Sequence, residues 1–141
     1  MEVRKTVFRI QVKKYEKPFS NDADDNLEWI CRSLGFLEPI DKDKTAYSIF
    51  REILVNAQKD KLLSSTELSR KVKMSRGSVI NHLNRLQTAG LVMRQGKYYV
   101  PRSKSVFRMI QELEEDLDRI FKRMEETAKR LDRDFGFDFD E

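Results

Sequence analysis

In the run Ser75-Arg76-Gly77-Ser78-Val79-Ile80-Asn81-His82-Leu83-Asn84-Arg85-Leu86, hydroxyl, amide and guanidinium groups recur at helical spacing around Val79, Leu83 and Leu86. If Val79, Leu83 and Leu86 define the buried side of a helix, then at about 100° per residue Gly77, Ser78, Asn81, Asn84 and Arg85 point away from it. That set suits nucleic acid. Asn81 carries the donor and acceptor that an adenine edge needs, and Arg85 can address guanine or a phosphate. Ser75 and Arg76 stand at the helix start, where backbone amides and a cationic side chain hold a phosphate. Gly77 lets the backbone come close to DNA. His82 borders the face as a packed or phosphate-contacting residue, because no carboxylate or nucleophile is spaced to make it catalytic. Further on, Arg94 and Lys97 flank a glycine-containing turn, either to reach the adjacent minor groove or backbone or as solubilising charges.

Positioning those groups requires a set of short elements that the sequence punctuates clearly. Ser75 is a helix cap and Gly90 a stop, which predicts a recognition helix over about 75–89. Before it, Ser64-Ser65-Thr66-Glu67 places Ser and Glu three apart ahead of Leu68, the capping-box arrangement, and predicts a short helix to about Val72. Two helices separated by the brief Lys73-Met74 turn make a helix-turn-helix. After Gly90, residues 91–100 read as a hairpin turning at Gln95-Gly96 and closed by Pro101. An amphipathic helix over about Lys42 to Lys59 precedes the pair, with Tyr47, Phe50 and Leu54 on one face and Ala46, Ile49, Ile53 and Ala57 beside them. Nearer the N-terminus, Asn21 to Asp25 offer caps for a helix through Leu27, Ile30, Cys31 and Leu34 that stops at Gly35, with Trp29 and Cys31 as packing residues. Residues 6–12 put Phe8, Ile10 and Val12 at period two, the pattern of a half-buried strand.

From about Ser103 to Leu131 the chain has no Gly or Pro. Val106, Ile110, Leu113, Leu117, Ile120, Met124 and Leu131 form a seam at heptad spacing, which predicts a long helix that needs a partner helix and hence a homodimer. Phe107 and Phe121 widen the stripe, and Thr127 weakens its far end. Beyond it, Phe135-Gly136-Phe137-Asp138-Phe139-Asp140 alternates at period two, either as a strand that pairs with residues 6–12 or as a tail whose acids keep the protein soluble or compete with DNA.

The 141 residues suit one domain of ordinary size with extensions, and 39% apolar against 37% charged residues implies a small core with much amphipathic surface. Net charge is only +4, but residues 61–105 contain ten Lys and Arg against the single acid Glu67. Such a block is the electrostatic footprint of a phosphate-docking surface. One Cys and one His exclude a zinc site within a monomer, and no Gly-rich phosphate loop or triad-like set is present, so neither an enzyme nor a cofactor is expected. No apolar stretch approaches the roughly 18 to 20 residues of a membrane helix. The N-terminal residues lack the features of a secretory signal, and a cytoplasmic protein is expected.

The run SSTELSRKVKMSRGSVINHLNRLQTAGLVMRQGKYYV resembles the winged helix-turn-helix of the ArsR-like bacterial and archaeal transcriptional regulators. The resemblance covers residues 45–101, and the flanking strand-helix and long C-terminal helix are similar to those of small archaeal members with dimerising tails. It implies a mainly α fold with a small β component: an N-terminal extension over 1–40, a winged domain over 41–101, a coiled-coil dimerisation helix over 102–133 and an acidic-aromatic tail over 134–141. It also implies a dimeric regulator of transcription that binds double-stranded DNA. The paired cysteines of metal-sensing members are absent, so their effector chemistry does not carry over, and the sequence specifies no small-molecule effector. A winged-helix scaffold for protein assembly is the alternative. RNA binding has less support, since no aromatic stacking surface accompanies the basic residues.

Overall fold

The computed structural model describes residues 11–35 and 44–137, and the chain divides after Lys104 into two units. In the first unit, α1 (Ala23–Ser33) starts where the Asp22 carboxylate accepts from the Asp24 amide, with Asp24 and Asp25 in the turn favoured for acids. It ends at Gly35, whose φ of +82° is left-handed and whose missing Cβ leaves room for the Gln11 carbonyl, 2.4 Å from where a Cβ would stand. The backbone of Lys13 donates to Ser33 O at 2.7 Å, so residues 11–13 run alongside the helix end. Cys31 is buried, and the Trp29 indole donates to Tyr15 O at 3.2 Å. Both are packing residues, as expected.

Helix α2 (Thr45–Ala57) buries all seven of the predicted apolar side chains and is the centre of the domain. It is shorter than the expected 42–59. Lys44 adopts a left-handed conformation at its start, and after Ala57 the chain turns through Lys59 and Asp60, the latter also at positive φ. Around α2 pack α3 (Ser65–Val72), α4 (Arg76–Thr88) and a three-stranded antiparallel sheet of β1 (Leu63–Ser64), β2 (Val92–Gln95) and β3 (Tyr98–Pro101), in the order β1-β3-β2. The two-residue strand β1, unforeseen in the sequence, sets Leu63 opposite Tyr99 with both side chains buried, and anchors the hairpin to the helices. The result is the expected mainly α winged helix with a small β component. The strand proposed for residues 6–12 falls largely outside the described residues, and Gln11 and Val12 belong to no strand.

The Asp24 carboxylate ties α1 to α2, accepting from Tyr47 Oη and, at 2.6 Å, from Arg51 Nε. These two bonds hold it below its ordinary value of 3.8. Burial raises the neighbouring Glu28, but bonds from Lys44 and Arg32 outweigh this and lower it too. Carboxylates depressed on folding stabilise the native state fully above their ordinary range and lose that contribution as pH falls through the lowered values. Emission of Trp29, the one tryptophan, is therefore expected to stay constant from neutrality down to about pH 4.5 and to shift red below about pH 4 as α1 loosens. Constancy down to pH 2 would show that these bonds do not hold α1.

The second unit is a single helix, α5 (Val106–Phe135), capped by Ser105 and closed by a Schellman motif at Gly136. It begins and ends a few residues later than expected. The alternation proposed for the tail is corrected here: Phe135 is helical, Gly136 at φ +70° stops the helix, and the Phe135 and Phe137 rings stack at 5.6 Å. Continuing the helix adds a backbone bond per residue, which a lone strand cannot match. Residues 138–141 lie outside the described residues. Of the predicted seam, Leu113 is buried within the single chain, Val106, Ile110 and Leu117 are half-buried, and Ile120, Met124 and Leu131 are exposed.

Candidate nucleic-acid interface

Helix α4 carries the candidate site, and its orientation is set by three side chains. Val79, Leu83 and Leu86 are completely buried, while Arg76, Gly77, Asn81, Asn84 and Arg85 are exposed and Ser78 and His82 half-buried. The predicted inward and outward faces are therefore the observed ones. Ser75 caps the helix, its hydroxyl accepting from the Ser78 amide at 3.2 Å. The amides of the first turn beyond that cap remain available to an anion.

The side chains of Asn81, Asn84 and Arg85 make no hydrogen bond or ion pair among the described residues. Polar groups spent on nothing within the chain are free to read a partner. Arg76 differs. Its Nε donates to Ser65 Oγ at 3.0 Å, which links the starts of α3 and α4 and aims the guanidinium while leaving its other donors unspent. Sequence reasoning missed Ser65, because a contact eleven residues away leaves no local pattern.

Among the described residues, nothing beyond its chain neighbours and its own helix backbone comes within 4 Å of where a Cβ on Gly77 would stand, so packing there does not require glycine. Gly77→Ala is expected to leave the domain as stable or raise it by up to about 1 kcal/mol. DNA affinity should fall if a duplex backbone approaches this turn, and a titration showing unchanged affinity would remove Gly77 from the interface.

Strands β2 and β3 form the wing. Gln95 faces Tyr98 across a two-residue turn of Gly96 and Lys97, with positive φ at Gly96 alone, the pattern of a type II′ hairpin. Arg94 donates from Nε to Gly96 O at 2.8 Å, and its Cζ lies 5.9 Å from the Tyr99 ring centroid. Lys97 Nζ stands 5.3 Å from the Tyr98 centroid. The two cations are thus held over aromatic faces at an exposed tip. This steering role of Tyr98 and Tyr99 was visible in sequence only as two aromatics beside the turn.

Glu67, the sole acid of the basic block, is occupied as the reciprocal cap of α3: Ser64 N–H donates to its carboxylate and its own amide donates to Ser64 Oγ, each at 3.2 Å. The bond from the Ser64 backbone, with the Ser64 side chain, holds its carboxyl below the usual range. It stays charged and committed to the cap. Among the described residues no cluster of three or more His, Cys, Asp or Glu is placed to hold a metal ion, and no helix is long and apolar enough to cross a membrane. Burial, then the Glu28 charge, pushes the Cys31 thiol far up, which keeps it protonated.

Compared with known proteins, the chain matches no curated protein and no solved structure. Residues 49–93, from within α2 through α3 and α4 into β2, match the family model of a winged helix-turn-helix DNA-binding domain.

Proposed function

We propose that this protein is a sequence-specific transcriptional regulator that binds double-stranded DNA as a homodimer. Helix α4 enters the major groove and the wing lies on the adjacent backbone or minor groove. The observation that carries this reading is the exposed, unspent face of Asn81, Asn84 and Arg85 on a helix whose opposite side is fully buried. Ser75, Arg76, Gly77, Ser78 and His82 contribute the phosphate-side contacts, and Arg94 and Lys97 those of the wing. The resemblance to ArsR-like regulators supports gene control as the use of this binding. With Cys31 buried and protonated, thiolate metal sensing is not part of the proposal.

The homodimer is supported by α5, whose 30 residues span about 45 Å and carry an exposed apolar stripe that no element of its own unit covers. A dimer presents two recognition helices to half-sites about one helical turn apart. Selection of bound fragments from random duplex DNA by the purified protein tests the reading. Enrichment of a two-fold symmetric motif with half-sites separated by about 10 base pairs is the expected result. Recovery of unenriched sequence would overturn it in favour of an assembly scaffold.

A further inference from the structure

Of the five described helices, four begin under a side-chain cap: Asp22 on α1, Ser64 on α3, Ser75 on α4 and Ser105 on α5. Helix α2 has none. Its N-cap is Lys44 in a left-handed conformation, and its first turn contains no acid. The first helical bond runs from Ser48 N–H to Lys44 O, so the amides of Thr45, Ala46 and Tyr47 have no acceptor among the described residues. Aligned N–H groups at the positive end of a 13-residue helix favour an anion.

Beside that turn lies a cavity of about 290 Å³, lined by Thr45 and Ser48 of α2 and by Val72, Lys73 and Met74, where α3 ends and the chain turns into α4. Thr45 is only 5% exposed, yet its hydroxyl makes no hydrogen bond among the described residues. A buried hydroxyl without a partner costs free energy that a ligand would recover. The Ser48 hydroxyl, three residues on along the same face, is likewise unspent. Lys73, exposed and in no ion pair among the described residues, supplies a charge. Its φ of +58° suits Gly or Asn better than Lys, so backbone geometry gives no reason for a lysine there. Val72 and Met74 complete the wall with apolar surface, which strengthens the attraction of the cation for an anion.

We propose that this cavity binds a phosphate group, held by the Thr45 and Ser48 hydroxyls and the Lys73 ammonium at the start of α2. The volume is close to the lower limit of small-ligand sites, about 300 Å³, which leaves room for a phosphate and a small group attached to it. The phosphate belongs either to a free phosphorylated small molecule or to the backbone of a duplex. In both cases it joins the start of α2 to the turn that carries α4, and so bears on the placing of that helix. The site is separate from the Asn81 and Arg85 face and goes beyond the reading of DNA by it.

Titration of the isotope-labelled full chain with inorganic phosphate, against chloride at equal ionic strength and followed by the amide resonances, tests it. The amides of Thr45, Ala46 and Tyr47 are expected to shift along one saturable curve. Thr45→Val keeps the shape and removes the hydroxyl, and Lys73→Asn suits the left-handed backbone and removes the charge; each should weaken phosphate binding about tenfold. Absence of a saturable shift at these amides in the wild type, or binding of wild-type strength in either variant, would overturn the proposal. Should Thr45→Val fold poorly, Lys73→Asn, at an exposed position, carries the comparison alone. A duplex then separates the two sources. If the backbone is the source, DNA displaces inorganic phosphate from these amides, and Lys73→Asn lowers DNA affinity with a salt slope smaller by about one. If a free molecule is the source, the phosphate shifts persist with DNA bound and Lys73→Asn leaves DNA affinity unchanged. The phosphate titration needs no DNA, so its failure leaves the regulator reading intact.

Discussion

Replacing Asn81 or Arg85 by alanine is expected to weaken binding to the preferred duplex by about 1 to 3 kcal/mol each and to flatten base preference at the positions they read. Both side chains are exposed on α4 and make no hydrogen bond or ion pair among the described residues, so their loss removes contacts to DNA without leaving a buried group unpaired. They stand four residues apart on one helix face, and the double variant is expected to depart from additivity as neighbours do. Lys97→Ala supplies the contrast. A wing cation that meets only phosphate should lower affinity alike for every sequence and reduce the salt slope by about one. Competition titrations against duplexes differing at single positions distinguish the two patterns. Unchanged affinity and preference in the Asn81 and Arg85 variants would place recognition on another face.

The largest effect on the fold is expected from Leu83→Ala. Leu83 is fully buried on α4, which packs on α2, α3 and β2, so the lost methyl groups leave a cavity that three elements must collapse to fill. Such truncations cost about 2 to 5 kcal/mol, against a total of about 5 to 15 kcal/mol for an ordinary domain. At about 4 to 8 °C per kcal/mol the melting temperature should fall by roughly 10 °C or more. Asn84→Ala, one residue away on the exposed face, should change stability by no more than about 0.5 kcal/mol. Denaturant titrations of both variants check this, and a Leu83→Ala protein as stable as its parent would mean that α4 is held by something other than its apolar side.

Much of this architecture was legible because its determinants are local. Ser64 and Glu67 announce their cap three residues apart, and Val79, Leu83 and Leu86 mark the inner face of α4 within eight residues. From that face alone the outward positions follow by helical geometry. What escaped depends on distant partners. The strand β1 has two residues, too few for any periodicity, and exists because β3 lies beside it. The same holds for Arg76, whose bond to Ser65 is made across the turn between helices.

The long helix α5 was legible from its apolar spacing, and the breadth of its apolar stripe follows from helix geometry. A repeat of seven residues drifts by about 20° per heptad on a straight helix turning every 3.6 residues. Over the length of α5 that drift carries Thr127 and Asp134 off the apolar stripe and brings Phe121, Ala128 and Phe135 onto it. Of the predicted seam, Met124 and Leu131 remain exposed apolar positions toward its end, while Thr127 and Asp134 stand where the repeat would place the next ones. Of the two readings of the tail, the strand does not hold at its start: Phe135 and Phe137 alternate with Gly136 in sequence, but Gly136 is the left-handed stop of the helix.

Recognition of double-stranded DNA by α4 and the wing is tested most directly by titrating the purified protein with a duplex chosen from random sequence and with a shuffled duplex of equal composition, between about 50 and 200 mM salt. The predicted result is a logarithmic affinity that falls linearly with the logarithm of salt concentration, with a slope of several units from the basic block, and a preference for the chosen duplex that persists throughout. Equal affinity for both duplexes, or binding indifferent to salt, would contradict it.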